Sequence, residues 1–326
     1  VNLDVVFLGT AGSMPTAQRG LPATLVRRGG EKLLFDCGEG TQRQLLRSDV
    51  GLVELEEIFL SHHHADHYLG LPGMLKTFAL RGREVPLTVY GPVGTRELLA
   101  SLRRVFGRLD YPLGVVELEP GEELARDGYA IRTFAVDHGV PALGYALVED
   151  ERPGRFDVEA ADALGVPPGP ARGLLQRGEP VELEGGFVVR PEQVLGPPRP
   201  GRKVVLAGDS APAASVVEAA AGAHLLVHEA TFLADERERA RETRHSTAGE
   251  AALLAREARV ALLALTHVSP RYFGHEVVEE ARALFPRTVV PRDFDLVVVP
   301  LPERGEPELV RSGARTRAAP VGSEAP

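Results

Sequence analysis

The chain has 326 residues, 44% hydrophobic and 25% charged, the balance of a soluble globular protein able to bury a full core in one large or two ordinary domains. A net charge of -9 argues against broad coating of nucleic acid through phosphate neutralisation, while leaving room for a local basic or metal-centred anion site. One cysteine, Cys37, excludes an intrachain disulfide, and with neither a membrane-length apolar run nor a signal-peptide pattern the expected compartment is the cytoplasm.

Residues 3–8 read as a strand that ends in Gly9-Thr10-Ala11-Gly12-Ser13, a small-residue turn able to bring backbone close to a ligand. Residues 23–27 and 32–36 predict a hairpin around Arg28-Gly29-Gly30, after which Asp36-Cys37-Gly38-Glu39-Gly40-Thr41 opens a helix to residue 46. Cys37 lies close to this turn, and burial is its expected role.

The stretch from Ser61 to Gly70 reads SHHHADHYLG. Apolar residues 58–60 form a short strand before it and residues 69–80 a helix after it, so a polar cluster sits at a strand-to-helix handover. Three imidazoles and a carboxylate, His62, His64, Asp66 and His67, suit zinc, which takes neutral nitrogen and carboxylate oxygen from a rigid turn. His62 and His64 can reach one ion from the same side of an extended segment. Asp66 and His67 are adjacent and must point elsewhere, which suggests a second ion and a bridging solvent. His63 is expected to point away.

Residues 86–90 are a further strand, followed by an amphipathic helix over 94–106 with Leu98, Leu99, Leu102 and Phe106 on its core face. The strand over 129–136 delivers Asp137-His138-Gly139, and 144–148 continues the sheet. From 149 to 200 turns, Pro and Gly dominate without sustained periodicity, as in an inserted arm. Residues 203–207 end in Asp209, 223–227 in His228-Glu229 and 260–265 in His267, and Ser246 or Thr247 caps an Ala-rich helix that follows His245. Four separate strands thus end in His or Asp, which points to one shared site. His224 and His275 carry no partner signal, and His228 is open between phosphate contact and packing. Residues 288–290 and 296–299 complete the sheet pattern, and 302–326 reads as a mobile tail.

These residues resemble the metallo-β-lactamase superfamily and, within it, the ribonuclease Z family of tRNA 3′-processing endonucleases. The resemblance runs from Leu8-Gly9-Thr10 to about Phe294. The central motif is shared across the superfamily, whereas DCGEGTQ from Asp36, DHGVPALGY from Asp137, the arm with Arg152-Pro153-Gly154-Arg155-Phe156, and the segments at His228 and His245 are more specific. The implied fold is α/β, a four-layer αβ/βα sandwich over residues 1–301, with the arm at about 149–200 as a tRNA-binding exosite. The arm carries eight Lys and Arg against nine Asp and Glu between Asp150 and Lys203, so its overall composition is not basic, and only its tip, around Pro167 to Gly178 with Arg172 and Arg177, lacks acids. Relatives often carry a Lys and an Arg-Asn pair in the early loop, where this chain reads Pro15-Thr16-Ala17-Gln18-Arg19-Gly20, and often Thr where it has Ser210.

The resemblance further implies two Zn2+ per subunit, with Mn2+ or Fe2+ as alternatives: one held by His62, His64 and His138, the other by Asp66, His67 and His267, with Asp209 bridging. Its expected reaction is removal of the 3′ trailer of precursor tRNA, leaving a 3′-hydroxyl on the tRNA and a 5′-phosphate on the trailer. Asp66 is expected to orient and deprotonate water, and His245 with Glu229 to protonate the leaving oxygen. The expected assembly is a homodimer in which one subunit's arm presents tRNA to the other, with no membrane contact. A small-substrate hydrolase of the same fold and a noncatalytic RNA-binding subunit are the competing readings.

Overall fold

Strand β1 (Leu3–Gly9) is buried along almost its whole length, because it lies inside a sheet covered on both faces. The structure is a computed structural model and describes residues 1–52 and 55–312. After β1 the chain lays down β2 (Ala23–Arg28), β3 (Glu31–Phe35), β4 (Glu57–Phe59), β5 (Leu87–Pro92) and β6 (Leu113–Leu118) side by side. It then crosses to a second sheet with β7 (Glu123–Arg126), β8 (Tyr129–Ala135) and β9 (Leu143–Glu149). A small hairpin, β10 (Val181–Glu182) and β11 (Val188–Val189), stands apart. The second sheet continues with β12 (Lys203–Leu206), β13 (Leu225–Glu229), β14 (Leu262–Thr266) and β15 (Thr288–Val289). β16 (Leu296–Val298) and β17 (Glu308–Val310) return to the first sheet beside β1.

The expected αβ/βα sandwich is present. Inner faces of the two sheets meet in a core containing Phe7, Phe59, Tyr145 and Leu206. The outer face of the first sheet packs on helices Thr41–Arg47, Leu71–Leu80 and Thr95–Phe106 through Leu45, Met74, Leu75 and Leu99. Leu99 and Phe106 are buried and Leu98 and Leu102 partly so, the face that the sequence periodicity predicts. The second sheet is covered by Ala214–Ala220, Ala248–Glu257 and Gly274–Arg282, whose small alanines allow close approach. Of the two predicted cap residues, Thr247 is the N-cap, with its side chain and Glu250 in a reciprocal capping box.

Two expectations are corrected. The segment between β9 and β12 is folded rather than irregular: helices Val158–Ala163 and Pro170–Gln176 and the β10–β11 hairpin enclose a core of Ala161, Val166, Leu175, Val181, Val189 and Val194. Its helices are too short for a periodicity to show in sequence. Acids flanking its tip engage the two arginines there, Asp162 with Arg172 and Glu179 with Arg177. The chain beyond 302 is also ordered where described: Pro302–Arg304 is a 3-10 turn and β17 pairs with β16, while residues 313–326 of the expected tail lie outside the described residues. Glu303 in that turn clamps the arm's stem, bonding Arg152 at 2.7 Å and Arg199 at 3.0 Å. No helix among the described residues is long and apolar enough to cross a membrane.

Strands β3, β4, β5 and β6 run parallel, as do β12, β13, β14 and β15. Parallel strands release their next residues at one edge, where loops gather from several strands. Asp36 follows β3, the His62–His67 segment follows β4, Asp209 follows β12, and His267 follows β14.

Candidate metal centre

The site begins with backbone that only particular neighbours can hold. Among the described residues six non-glycines have positive φ, and four of them, Ser13, Asp36, Arg244 and His267, sit in or beside this edge. Left-handed backbone at ordinary residues costs about 1–3 kcal/mol each and clusters where a fold positions a site. At Gly12 the need is steric, since a Cβ there would stand 2.5 Å from His267 Nδ1.

His62, His64 and His138 form one group of converging side chains, Asp66, His67 and His267 a second, and Asp209 lies against both. Asp209 Oδ2 is 3.2 Å from His267 Nε2, 3.3 Å from His67 Nε2, 3.9 Å from His138 Nε2 and 4.0 Å from His62 Nε2. Asp66 Oδ2 is 3.4 Å from His267 Nε2 and 3.7 Å from His67 Nε2. Ligand atoms about 2.0–2.2 Å from a shared tetrahedral ion lie about 3.3–3.6 Å apart, so these separations suit divalent cations.

The histidine tautomers agree. Ser61 Oγ lies 3.0 Å from His62 Nδ1, Asp36 Oδ2 2.8 Å from His67 Nδ1, the Arg244 carbonyl 3.0 Å from His138 Nδ1, and Thr231 Oγ1 2.8 Å from His267 Nδ1. An Nδ1–H donated to each oxygen leaves Nε2 as a bare lone pair aimed inward, the arrangement of metal-bound histidines. His62 Nε2 and His67 Nε2 are buried with no hydrogen-bond partner. His64 Nδ1 and His138 Nε2 face each other at 3.0 Å, close enough for one to donate to the other and near the separation of two ligands on one ion. The donor set therefore fits divalent metal.

The electrostatics show the site's demand for positive charge, which a proton on His67 meets where no cation does. Burial alone would lower His67, yet Asp209 and Asp36 outweigh it and hold the ring well above its ordinary value. Burial would raise Asp209, but the charges of His267 and His67 hold it well below the carboxylate range. Burial likewise opposes ionisation of Asp66, and its hydrogen bond with His267 overcomes this. Carboxylates this hungry for positive charge are what a bound cation satisfies.

Beside this cluster Glu229, 1% exposed, accepts His245 Nδ1–H at 2.7 Å and the Ser210 N–H at 2.9 Å, and it also takes the Thr231 hydroxyl. Burial would lower His245, but the Glu229 charge and hydrogen bond raise it to about 9. Ser210 uses its hydroxyl to accept the Asp137 N–H at 3.1 Å, tying the loop of His138 to that of Asp209.

All seven predicted ligands and the predicted Glu229–His245 pair thus converge. His63 points away, bonded to Thr95 at 2.9 Å, and Cys37 is buried, which pushes its thiol up. His224 accepts the Lys203 N–H, and His228 is fully buried with Nδ1 on the Glu229 carbonyl. Sequence reasoning assigned no role to Asp36, Ser61 or Thr231. An acid directly after a strand, as at Asp36, is the one signal that would have found any of them.

The metallo-beta-lactamase superfamily model matches residues 20–267. A ribonuclease Z from Methanosarcina acetivorans is 47% identical over 91% of this chain and 98% of its own. One from Myxococcus xanthus is 51% identical over 83% of this chain and 88% of its own. The crystal structure of the short form of human tRNase Z (ELAC1) superposes with a TM-score of 0.67 at 27% identity, over 91% of this chain and 99% of that one. The chain belongs to the metallo-β-lactamase superfamily and, within it, to the ribonuclease Z family.

Proposed function

We propose that this chain is a metal-dependent endoribonuclease that removes the 3′ trailer of precursor tRNA, leaving a 3′-hydroxyl on the tRNA and a 5′-phosphate on the trailer. The carrying observation is the hydrogen-bonded Glu229–His245 pair set beside a seven-residue ligand cluster, in a chain whose relatives across nine-tenths of its length are named ribonuclease Z. His62, His64 and His138 would hold one zinc, Asp66, His67 and His267 the other, with Asp209 shared; Mn2+ or Fe2+ suits the same mixed nitrogen and oxygen donors. Bound there, the ions supply Lewis acidity toward a phosphoryl oxygen and lower the pKa of water.

The protein's own groups do the rest. Asp66 Oδ2 is fixed by the Ser13 N–H at 2.9 Å, which holds the carboxylate ready to orient the attacking water and accept its proton. His245 commits Nδ1 to Glu229, leaving Nε2 to protonate the departing ribose 3′ oxygen. Glu229 keeps that imidazole charged and oriented.

The arm serves as the tRNA-holding exosite, in a homodimer where one subunit's arm presents tRNA to the other. Its separate core supports action as a rigid unit. With Arg172 and Arg177 paired internally, its grip relies on shape and backbone more than on those charges. A precursor-tRNA substrate makes the cytoplasm the working compartment.

The test is cleavage of end-labelled precursor tRNA by wild-type protein and Asp66→Ala, with metal content measured on both. A cut at the acceptor stem, lost in the variant, supports the reading. A metal-loaded wild type that cuts no precursor but hydrolyses an aryl phosphodiester replaces it with a small-substrate hydrolase.

A further inference from the structure

Asp293 ties together the two ends of the loop that passes the metal centre. Residues 10–20 leave β1, run by the site at Gly12 and Ser13, and come back beside their start, where the Ala11 N–H bonds the Gly20 carbonyl at 2.9 Å. Behind that neck the Asp293 side chain is buried. Its Oδ1 accepts the Thr10 hydroxyl at 2.7 Å, and its Oδ2 accepts the Gly20 N–H at 2.6 Å and Gln44 Nε2–H at 2.7 Å. Burial pushes the carboxyl above its ordinary value even though Gly20 and Thr10 donate to it.

The carboxylate is itself firmly mounted. Phe7 of β1 donates its N–H to the Asp295 carbonyl at 2.9 Å and accepts the Phe294 N–H at 2.6 Å, so the two residues after Asp293 are fastened to the sheet. Phe294 is held there at φ 71, backbone that an unconstrained phenylalanine avoids. Gln44 shares its amide between Asp293 and the Leu8 carbonyl, each at 2.7 Å.

From the neck, hydrogen bonds lead to two candidate ligands. The Thr10 carbonyl accepts the Val268 N–H at 3.0 Å, the Val268 carbonyl accepts the Gly12 N–H at 3.1 Å, and Val268 directly follows His267. Ser13, the next residue of the loop, donates its N–H to Asp66 Oδ2 at 2.9 Å. Asp66 and His267 belong to one of the two converging groups. None of these bonds reaches His62, His64 or His138 of the other.

A buried carboxylate is costly unless donors satisfy it, and here the donors are the two ends of one loop and the helix behind them. We propose that Asp293 is a positioning residue for the metal centre: by pinning Thr10 and Gly20 it sets where the loop meets Asp66 and His267, and so tunes one metal position without touching the ion. The effect on metal rests on the metal-centre reading above. The chain of bonds does not.

The test compares the full chain with Asp293→Ala by two measurements. In chelator-treated protein, hydrogen exchange at the Ser13 and Val268 amides should quicken about tenfold or more. In zinc titrations against a chromophoric chelator, one bound equivalent should weaken about 10–100-fold and the other hold. Asparagine can keep its oxygen on Gly20 and Gln44 and turn its amide toward the Thr10 oxygen, so Asp293→Asn should recover part of both effects. Added to Asp66→Ala, Asp293→Ala should cost less affinity than it does alone, because part of what it holds is already gone. Unchanged exchange, equal weakening of both equivalents, or full additivity with Asp66→Ala overturns the proposal. If Asp293→Ala does not fold, Thr10→Val removes one of the three bonds at nearly constant volume and faces the same criteria. A wild-type chain that binds no zinc, in a background where Asp293→Ala still loosens the loop, defeats the metal-centre reading and limits Asp293 to the loop.

Discussion

Thr231 Oγ1 lies 2.8 Å from His267 Nδ1 and donates to Glu229, so one hydroxyl joins a candidate ligand to the carboxylate that holds His245. Thr231→Val removes that acceptor and frees the His267 tautomer. Metal affinity should drop about 10–100-fold, read by competition with a chromophoric chelator, and Thr231→Ser should restore most of it. Unchanged affinity in the valine variant would show that His267 is oriented by something else.

His245→Ala should keep the metal stoichiometry while lowering kcat on precursor tRNA about 10²–10⁴-fold. An aryl phosphodiester, whose leaving group needs no proton, should be far less affected. Equal losses on the two substrates would instead assign His245 a role in binding or packing.

Glu149 is 7% and Arg202 3% exposed in their side chains, and they meet at 2.7 Å, with Arg28 a further 3.0 Å donor. Burial would raise Glu149, yet these hydrogen bonds and charges hold it below its ordinary value. Glu149→Ala leaves a buried guanidinium unpaired and should cost about 3–5 kcal/mol in chemical denaturation. The site lies elsewhere, so metal affinity of the folded fraction should not move.

The arm's stem should loosen in acid. Hydrogen bonds from Arg152 lower Glu303 to about 2, so its clamp is fully present above the ordinary carboxylate value of 4.5 and fades as pH falls toward 2. Hydrogen exchange around Arg152 and Arg199 should quicken across that window. Glu303→Gln should show the quicker exchange already at neutral pH and little further change in acid.

Where the chain spelled out its architecture, it did so through short apolar runs that stop at a polar residue. β12, β13 and β14 are buried on both faces, read as continuous apolar stretches, and hand over to Asp209, Glu229 and His267. β6 and β7 escaped because they line the sheet edges half exposed, and β17 because three residues between Pro, Gly and Glu carry no pattern. The arm helices hide for a related reason: Ala161 and Leu175 bury one face of helices too short to repeat. In the site, the converging His and Asp side chains were legible because a metal centre would demand particular side chains. Thr231 and Ser61 were not, since an orienting oxygen can come from many residue types or from backbone, as it does at Arg244 for His138.

Ser13, Asp36, Arg244 and His267 hold left-handed backbone at φ 55–60 around the candidate ligands. Glycine at Ser13 or Arg244 would relax that backbone, so the variant should melt at a higher temperature while releasing its metal faster. Selection for heat resistance and selection for turnover would therefore pull these two positions in opposite directions, and a thermostable descendant of this chain is expected to have kept its tension here and found its stability elsewhere.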